Sequence, residues 1–84
     1  VVRRIERDAI CDLGDAGSCT DLGYFYENAI GVTQSDVNAT DYYRRACDAG
    51  NALGCNNLGH RYQTGKGVAQ NEGEAVGLYR RACE

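Results

Sequence analysis

Five cysteines and a single histidine are the residues of this 84-residue chain best suited to chemistry, and their spacing narrows what that chemistry is. Cys11 and Cys19 stand eight positions apart, and so do Cys47 and Cys55. A pair of thiols repeated at one spacing is a disulfide pattern; reduced, buried cysteines serving as small apolar residues would leave the repetition unexplained. Zinc is disfavoured, because there is no C-x-x-C and His60 has no second ligand at metal spacing. The same rule puts the partner of Cys83 at position 91, so Cys83 is expected to be free or linked to another chain. No metal or cofactor is expected.

Catalysis finds little support. A penicillin-type acyl transfer needs a serine with a lysine three residues on. Ser18 is followed instead by Asp21 and Ser35 by Asn38, and these are the only serines. The carboxylate pairs Glu72/Glu74 and Asp12/Asp15 fall near helix ends, where negative charge at a start is simply stabilising. Gly65-x-Gly67 follows no strand, so it reads as a turn and not a phosphate cradle. Asn38-Ala39-Thr40 matches a glycosylation sequon but sits in the first turn of a helix, where a chance match is the better explanation.

The elements that hold these residues follow from an internal repeat of 36 positions. That shift carries Cys11 onto Cys47 and Cys83, Cys19 onto Cys55, Leu22-Gly23 onto Leu58-Gly59, and Tyr26 onto Tyr62. It also carries Gly31-Val32 onto Gly67-Val68, and Tyr43-Arg44-Arg45-Ala46-Cys47 onto Tyr79-Arg80-Arg81-Ala82-Cys83. Within a unit the matched residues fall at helical spacing, so each unit is two helices. The first helix is expected over about 18–28 and 54–64, the second over about 36–49 and 72–83. Ser35 and Asn71 are the expected caps of the second helices, Asn71 with Glu74 in a capping box. Gly14 and Gly50 end the second-type helices, Gly65-Lys66-Gly67 ends a first-type helix, and the segments 15–17 and 51–53 turn the chain back. Gly23, Gly59, Ala46 and Ala82 keep helices close, and the rings of Tyr26, Tyr43, Tyr62 and Tyr79 fill the core. The organisation is one repeat domain: 1–14 a cap helix or partial repeat, 15–50 the first unit, 51–84 the second.

The run Ala46-Cys47-x7-Cys55-x-x-Leu58-Gly59-x-x-Tyr62, then Gly65-x-Gly67-Val68, then Ala75-x-x-x-Tyr79-x-x-Ala82-Cys83, resembles the Sel-one-like repeat family. With its cysteine pairs it is similar to the disulfide-rich branch typified by the Helicobacter cysteine-rich proteins, over about residues 9–84. The resemblance implies an all-α, right-handed superhelix of stacked helix pairs related to tetratricopeptide repeats, an adaptor role, and, for that branch, export from a bacterial cell. Some members of the branch are reputed to bind penicillin, so a weak β-lactam-binding or hydrolysing protein is the alternative, and a purely structural spacer the third reading. Two departures stand out. Ala29 occupies the place of Gly65, so the first inter-helix loop must form without that glycine. The opening helix, about 1–13, puts Arg7 where Tyr43 and Tyr79 sit and Arg3 where the alanines sit.

Charge and hydropathy limit the partners. A net charge of −3, one lysine, and arginines mostly in adjacent pairs argue against nucleic acid, which needs clustered cations on one face. No apolar run approaches the length of a membrane span, and disulfides point to the periplasm or the cell exterior. The partner expected is a protein or an extended peptide. In stacked helix pairs the first helices line the concave side, so the candidate contacts are Thr20, Asp21, Tyr24, Glu27 and Asn28 in one unit and Asn56, Asn57, His60 and Gln63 in the next. Uncapped apolar ends and Cys83 give a route to self-association.

Overall fold

The structure is a computed structural model and describes residues 9–83. Residues 9–12 are helical (α1) and lead into α2 (Ala16–Glu27), α3 (Asp36–Asp48), α4 (Ala52–Thr64) and α5 (Glu72–Cys83). There is no strand among the described residues. Helices α2 and α3 pack as one hairpin and α4 and α5 as the next, while α4 also packs on α3 and α2. The protein is therefore an all-helical solenoid, with two stacked units among the described residues. The expected opening helix lies mostly outside the described residues.

Helices α2 and α4 begin two residues earlier than the sequence suggests, whereas α3 and α5 begin at the expected residues. Asp15 caps α2 by accepting from the Ser18 N–H at 3.0 Å, and Asn51 caps α4 by accepting from the Gly54 N–H at 2.8 Å. Each cap satisfies an orphan amide of the first turn. Residues 16–17 and 52–53, expected to be connecting turns, are therefore first-turn residues of their helices. Ser35 caps α3 as expected, accepting from the Asn38 N–H at 3.1 Å. Asn71 accepts from the Glu74 N–H at 3.0 Å. Its own N–H donates to the Tyr62 carbonyl at 2.9 Å, as Ser35 N–H does to Tyr26 at 3.0 Å, so the amide that Glu74 would cap in a full box is already satisfied.

Small residues set the helix separations. A Cβ on Gly23 would lie 2.5 Å from the Tyr43 ring, one on Gly59 2.8 Å from the Tyr79 ring, and one on Gly54 2.6 Å from the Ala46 methyl. Glycine at 23 and 59 lets aromatic rings approach the neighbouring helix closely, and Tyr43 is fully buried. The core forms two clusters. Cys11, Cys19, Leu22 and Ala46 pack with Phe25 and Tyr42; Ala39, Tyr43, Cys47, Cys55, Leu58 and Leu78 pack with Tyr26, Tyr62 and Ala82.

Disulfides Cys11–Cys19 and Cys47–Cys55 are closed, and each fastens the end of one helix to the first turn of the next. Closing so short a loop stabilises the fold by about 2–3 kcal/mol per bridge on the chain-entropy model. Beside each bridge an ion pair repeats with the same period: Arg45 with Asp12 at 3.2 Å and Arg81 with Asp48 at 4.0 Å. These exposed pairs add little energy individually, but they mark the stacking as a repeated geometry.

Candidate functional site

The first helices of the two units, α2 and α4, lie side by side and carry eight of the nine residues expected to face a partner, the ninth, Asn28, being the C-cap of α2. Most of them are on the surface. Tyr24 is 53% exposed, and Glu27, Asn28, Asn56, His60 and Gln63 are exposed, with Asp21 and Asn57 half-buried. Asn56, Asn57, His60 and Gln63 fall at three- and four-residue spacings, which places them along one flank of α4.

Thr20 is the exception and must be withdrawn from the exposed set. It is 5% exposed, and its hydroxyl lies 3.1 Å from the Ala16 carbonyl and 3.0 Å from Asn51 Oδ1. The Asn51 side chain thus accepts from two directions, capping its own helix and joining α4 to α2. A polar residue near a helix start is well placed to be used internally in this way.

Glu27 is partly on the surface, but its carboxylate is engaged inside the fold. Its Oε1 accepts from the Tyr43 hydroxyl at 2.6 Å and from Arg61 Nη2 at 2.8 Å. Arg61, only 2% exposed, also bonds Asp36 through Nη1 at 3.0 Å and sits 5.8 Å from the centre of the Tyr43 ring. Burial by itself would raise the Glu27 carboxyl, but hydrogen bonds from Tyr43 and Arg61 and the charges of Arg61 and His60 outweigh it and hold the group below its ordinary value. Burial, and then the neighbouring Glu27 carboxylate, push the Tyr43 phenol up. One unit on, Tyr79 donates to Gln63 Oε1 at 2.8 Å, the uncharged counterpart of the Tyr43–Glu27 bond.

Other polar atoms of the set are also in use. Asn28 Nδ2 donates to the Tyr24 carbonyl at 3.0 Å, closing the end of α2. The Gln63 carbonyl accepts from Gln70 Nε2 at 2.9 Å. The side chains of Tyr24, Asn56, Asn57 and His60 make no hydrogen bond to another described residue. Two amides, an imidazole and a phenol, which both donate and accept, are thus presented by adjacent helices.

Ser18 is buried at the start of α2, and Ser35 Oγ caps α3. Among the described residues no group of His, Cys, Asp and Glu could hold a metal ion, and no helix is long and apolar enough to cross a membrane. A shallow dent of about 200 Å³ runs along α5, lined by Gly73, Glu74, Gly77, Leu78 and Arg81. None of these belongs to the α2–α4 set. Cys83 is free and exposed at the end of α5.

Arg61 was not singled out by sequence reasoning, which treats an arginine in a polar helix as solvated. The signal lies in the repeat, because position 25, its counterpart, is phenylalanine. An apolar residue at the equivalent place marks an inward-facing position.

The family model for the Sel1 repeat matches residues 16–51 and 52–84, the two units seen in the fold. The chain is similar to Helicobacter pylori cysteine rich protein B, with 36% identity and a TM-score of 0.92 over 95% of this chain and 60% of that one. It is also similar to a Sel1 repeat protein from Oxalobacter formigenes, with 33% identity and a TM-score of 0.80 over 83% of this chain and 29% of that one. The c5321 protein, a protective antigen of uropathogenic Escherichia coli strains with an SLR fold, shares 29% identity at a TM-score of 0.93 over 95% of this chain and 17% of its own. The chain thus spans less than two thirds of each of these proteins. No curated protein sequence matches it. Two family matches that meet at Asn51, the cap joining one unit to the next, and the shared helical stack together place this chain in the Sel1 repeat family.

Proposed function

We propose that this chain is a protein-interaction module that takes an extended peptide segment across α2 and α4. The observation that carries the reading is the set of side chains with unused hydrogen-bonding capacity on these two helices, exposed Asn56, His60 and Tyr24 and half-buried Asn57. An extended backbone offers alternating donors and acceptors, which amide side chains can match without selecting a charge, while the flat faces of Tyr24 and His60 suit an anchoring side chain. Asp21, Glu27, Asn28 and Gln63 border the contact, and Glu27 and Gln63 spend part of their capacity holding tyrosines.

The test is selection of a random-peptide display library on the immobilised protein, with the Asn56→Ala/Asn57→Ala double variant as counter-bait. Peptides enriched on the wild type should bind the variant at least about tenfold more weakly, as expected for two central contacts. Equal enrichment on both baits would remove the groove reading and leave a structural spacer.

The β-lactam alternative is disfavoured by the burial of Ser18 and the capping role of Ser35. Nitrocefin turnover by pure protein above that of a Ser18→Ala/Ser35→Ala variant would reverse this ranking. The two disulfides and the likeness to the Helicobacter protein support a periplasmic or secreted setting. Exposed Cys83 offers a route to covalent pairing with another chain.

A further inference from the structure

Helix α4 is fastened to the first unit near both ends, by bonds of different kinds. At its first turn the Cys47–Cys55 bridge ties it covalently to α3. Six residues on, about 9 Å along the axis, Arg61 ties it ionically to the end of α2 through Glu27 and to the start of α3 through Asp36. Between the two lies Leu58, 2% exposed, in the apolar cluster. Beyond Arg61, the Thr40 hydroxyl donates to the Lys66 carbonyl at 2.9 Å and holds the α4–α5 loop against α3.

We propose that the Cys47–Cys55 bridge is a hinge between the two units and the Glu27–Arg61–Asp36 cluster a latch, which acid opens while the hinge stays closed. The asymmetry is chemical. A cystine does not respond to protons in the acid range, whereas a buried guanidinium is tolerated only while its counter-charges remain. When Glu27 takes up a proton, Arg61, a cation only 2% exposed, loses the counter-charge at the end of α2. Hydration then favours moving the guanidinium outward, and the end of α4 with it.

Glu27 meets the Tyr43 hydroxyl from α3 and Arg61 and the charge of His60 from α4; Asp36 meets Arg61 and also accepts from Gln34 Nε2 at 2.8 Å. The cationic neighbours keep Glu27 ionised, so the latch holds through neutral and mildly acid solution and opens only below the usual carboxylate range. Because Tyr24 stands on α2 and His60 on α4, release changes the separation of the proposed groove walls. That consequence rests on the groove reading; the latch itself does not.

Amide hydrogen exchange on the oxidised protein tests the latch without a binding partner. On moving from about pH 6 to about pH 3, protection in residues 60–67, corrected for intrinsic rates, should fall about tenfold or more, while amides around Cys55 hold theirs. Glu27→Gln should show the weakened pattern already at about pH 6, with little further loss in acid. Should that variant fail to fold, the carboxyl 13C shift of Glu27 in the wild type serves instead: the loss of protection must share its midpoint. Uniform loss over α2–α5, wild-type behaviour of Glu27→Gln, or a midpoint unrelated to Glu27 overturns the proposal.

Discussion

Ala29 and Gly65 occupy the same place one repeat apart, and both hold the left-handed backbone conformation, with φ of 56° and 71°. The loop after α2 therefore keeps the geometry of the loop after α4 and bears the steric cost of a Cβ instead of changing path. That cost is about 1 kcal/mol for alanine relative to glycine. Ala29→Gly should stabilise the protein by about this amount and raise Tm by roughly 4–8 °C. An unchanged or lower Tm in a calorimetric scan would show that the loop is not strained.

Two helical glycines should respond to alanine with opposite signs. At Gly23 the new methyl would meet the ring of fully buried Tyr43 at 2.5 Å, and overpacking of this kind costs about 1–3 kcal/mol. At Gly77 nothing lies within 4 Å of the added atom. Gly77→Ala should therefore stabilise by about 0.5–1 kcal/mol through helix propensity. Urea midpoints of the two variants moving in the same direction would contradict the packing described for one of them.

The Arg61 cluster should be asymmetric to mutation. Arg61→Leu leaves two carboxylates that are 39% and 43% exposed and can be hydrated, so a loss of about 2–3 kcal/mol is expected. Glu27→Gln with Asp36→Asn leaves the guanidinium buried without counter-charge, for about 3–5 kcal/mol. Chemical denaturation that ranks the single variant as the less stable would show that Arg61 contributes chiefly by packing.

An alkaline limit follows from Tyr43. Its folded-state pKa is raised, so the associated stability is present in full below about pH 10, the ordinary phenol value, and is lost as pH rises toward the folded value. Between about pH 8 and pH 11 the wild type should lose at least about 1 kcal/mol more than Tyr43→Phe. Parallel losses in the two proteins would remove Tyr43 as the cause.

Reduction gives a separate check. Losing both bridges should cost about 2–3 kcal/mol each, read as a drop in the urea midpoint after thiol treatment. A midpoint unaffected by reduction would mean that the helix ends are held by packing alone.

The repeat made the helix pairs legible, because matched residues at helical spacing name both the elements and their buried stripes. Ser35, Gly50 and the cysteine pairs are local signals and could be read one by one. Ala29 was legible as a departure, though only the structure shows that it keeps the loop's shape. Other features depend on contacts between units. Thr20 looks solvent-facing on a helical wheel, yet its hydroxyl meets Asn51 from the next unit. Asp15 and Asn51 look like turn residues until their side chains are seen receiving first-turn amides. Arg61 reads as a surface charge because its partners, Glu27 and Asp36, are distant in sequence and close only after stacking.

Phe25 and Arg61 stand at one repeat position, the first against an apolar cluster and the second among charges. The contacts made from this one repeat position on α2 and on α4 therefore obey different thermometers. Apolar contact weakens on cooling and is largely indifferent to electrolytes at ordinary strength, whereas a charged junction answers to protons first. Chilling and souring should find different weak points in the same rod.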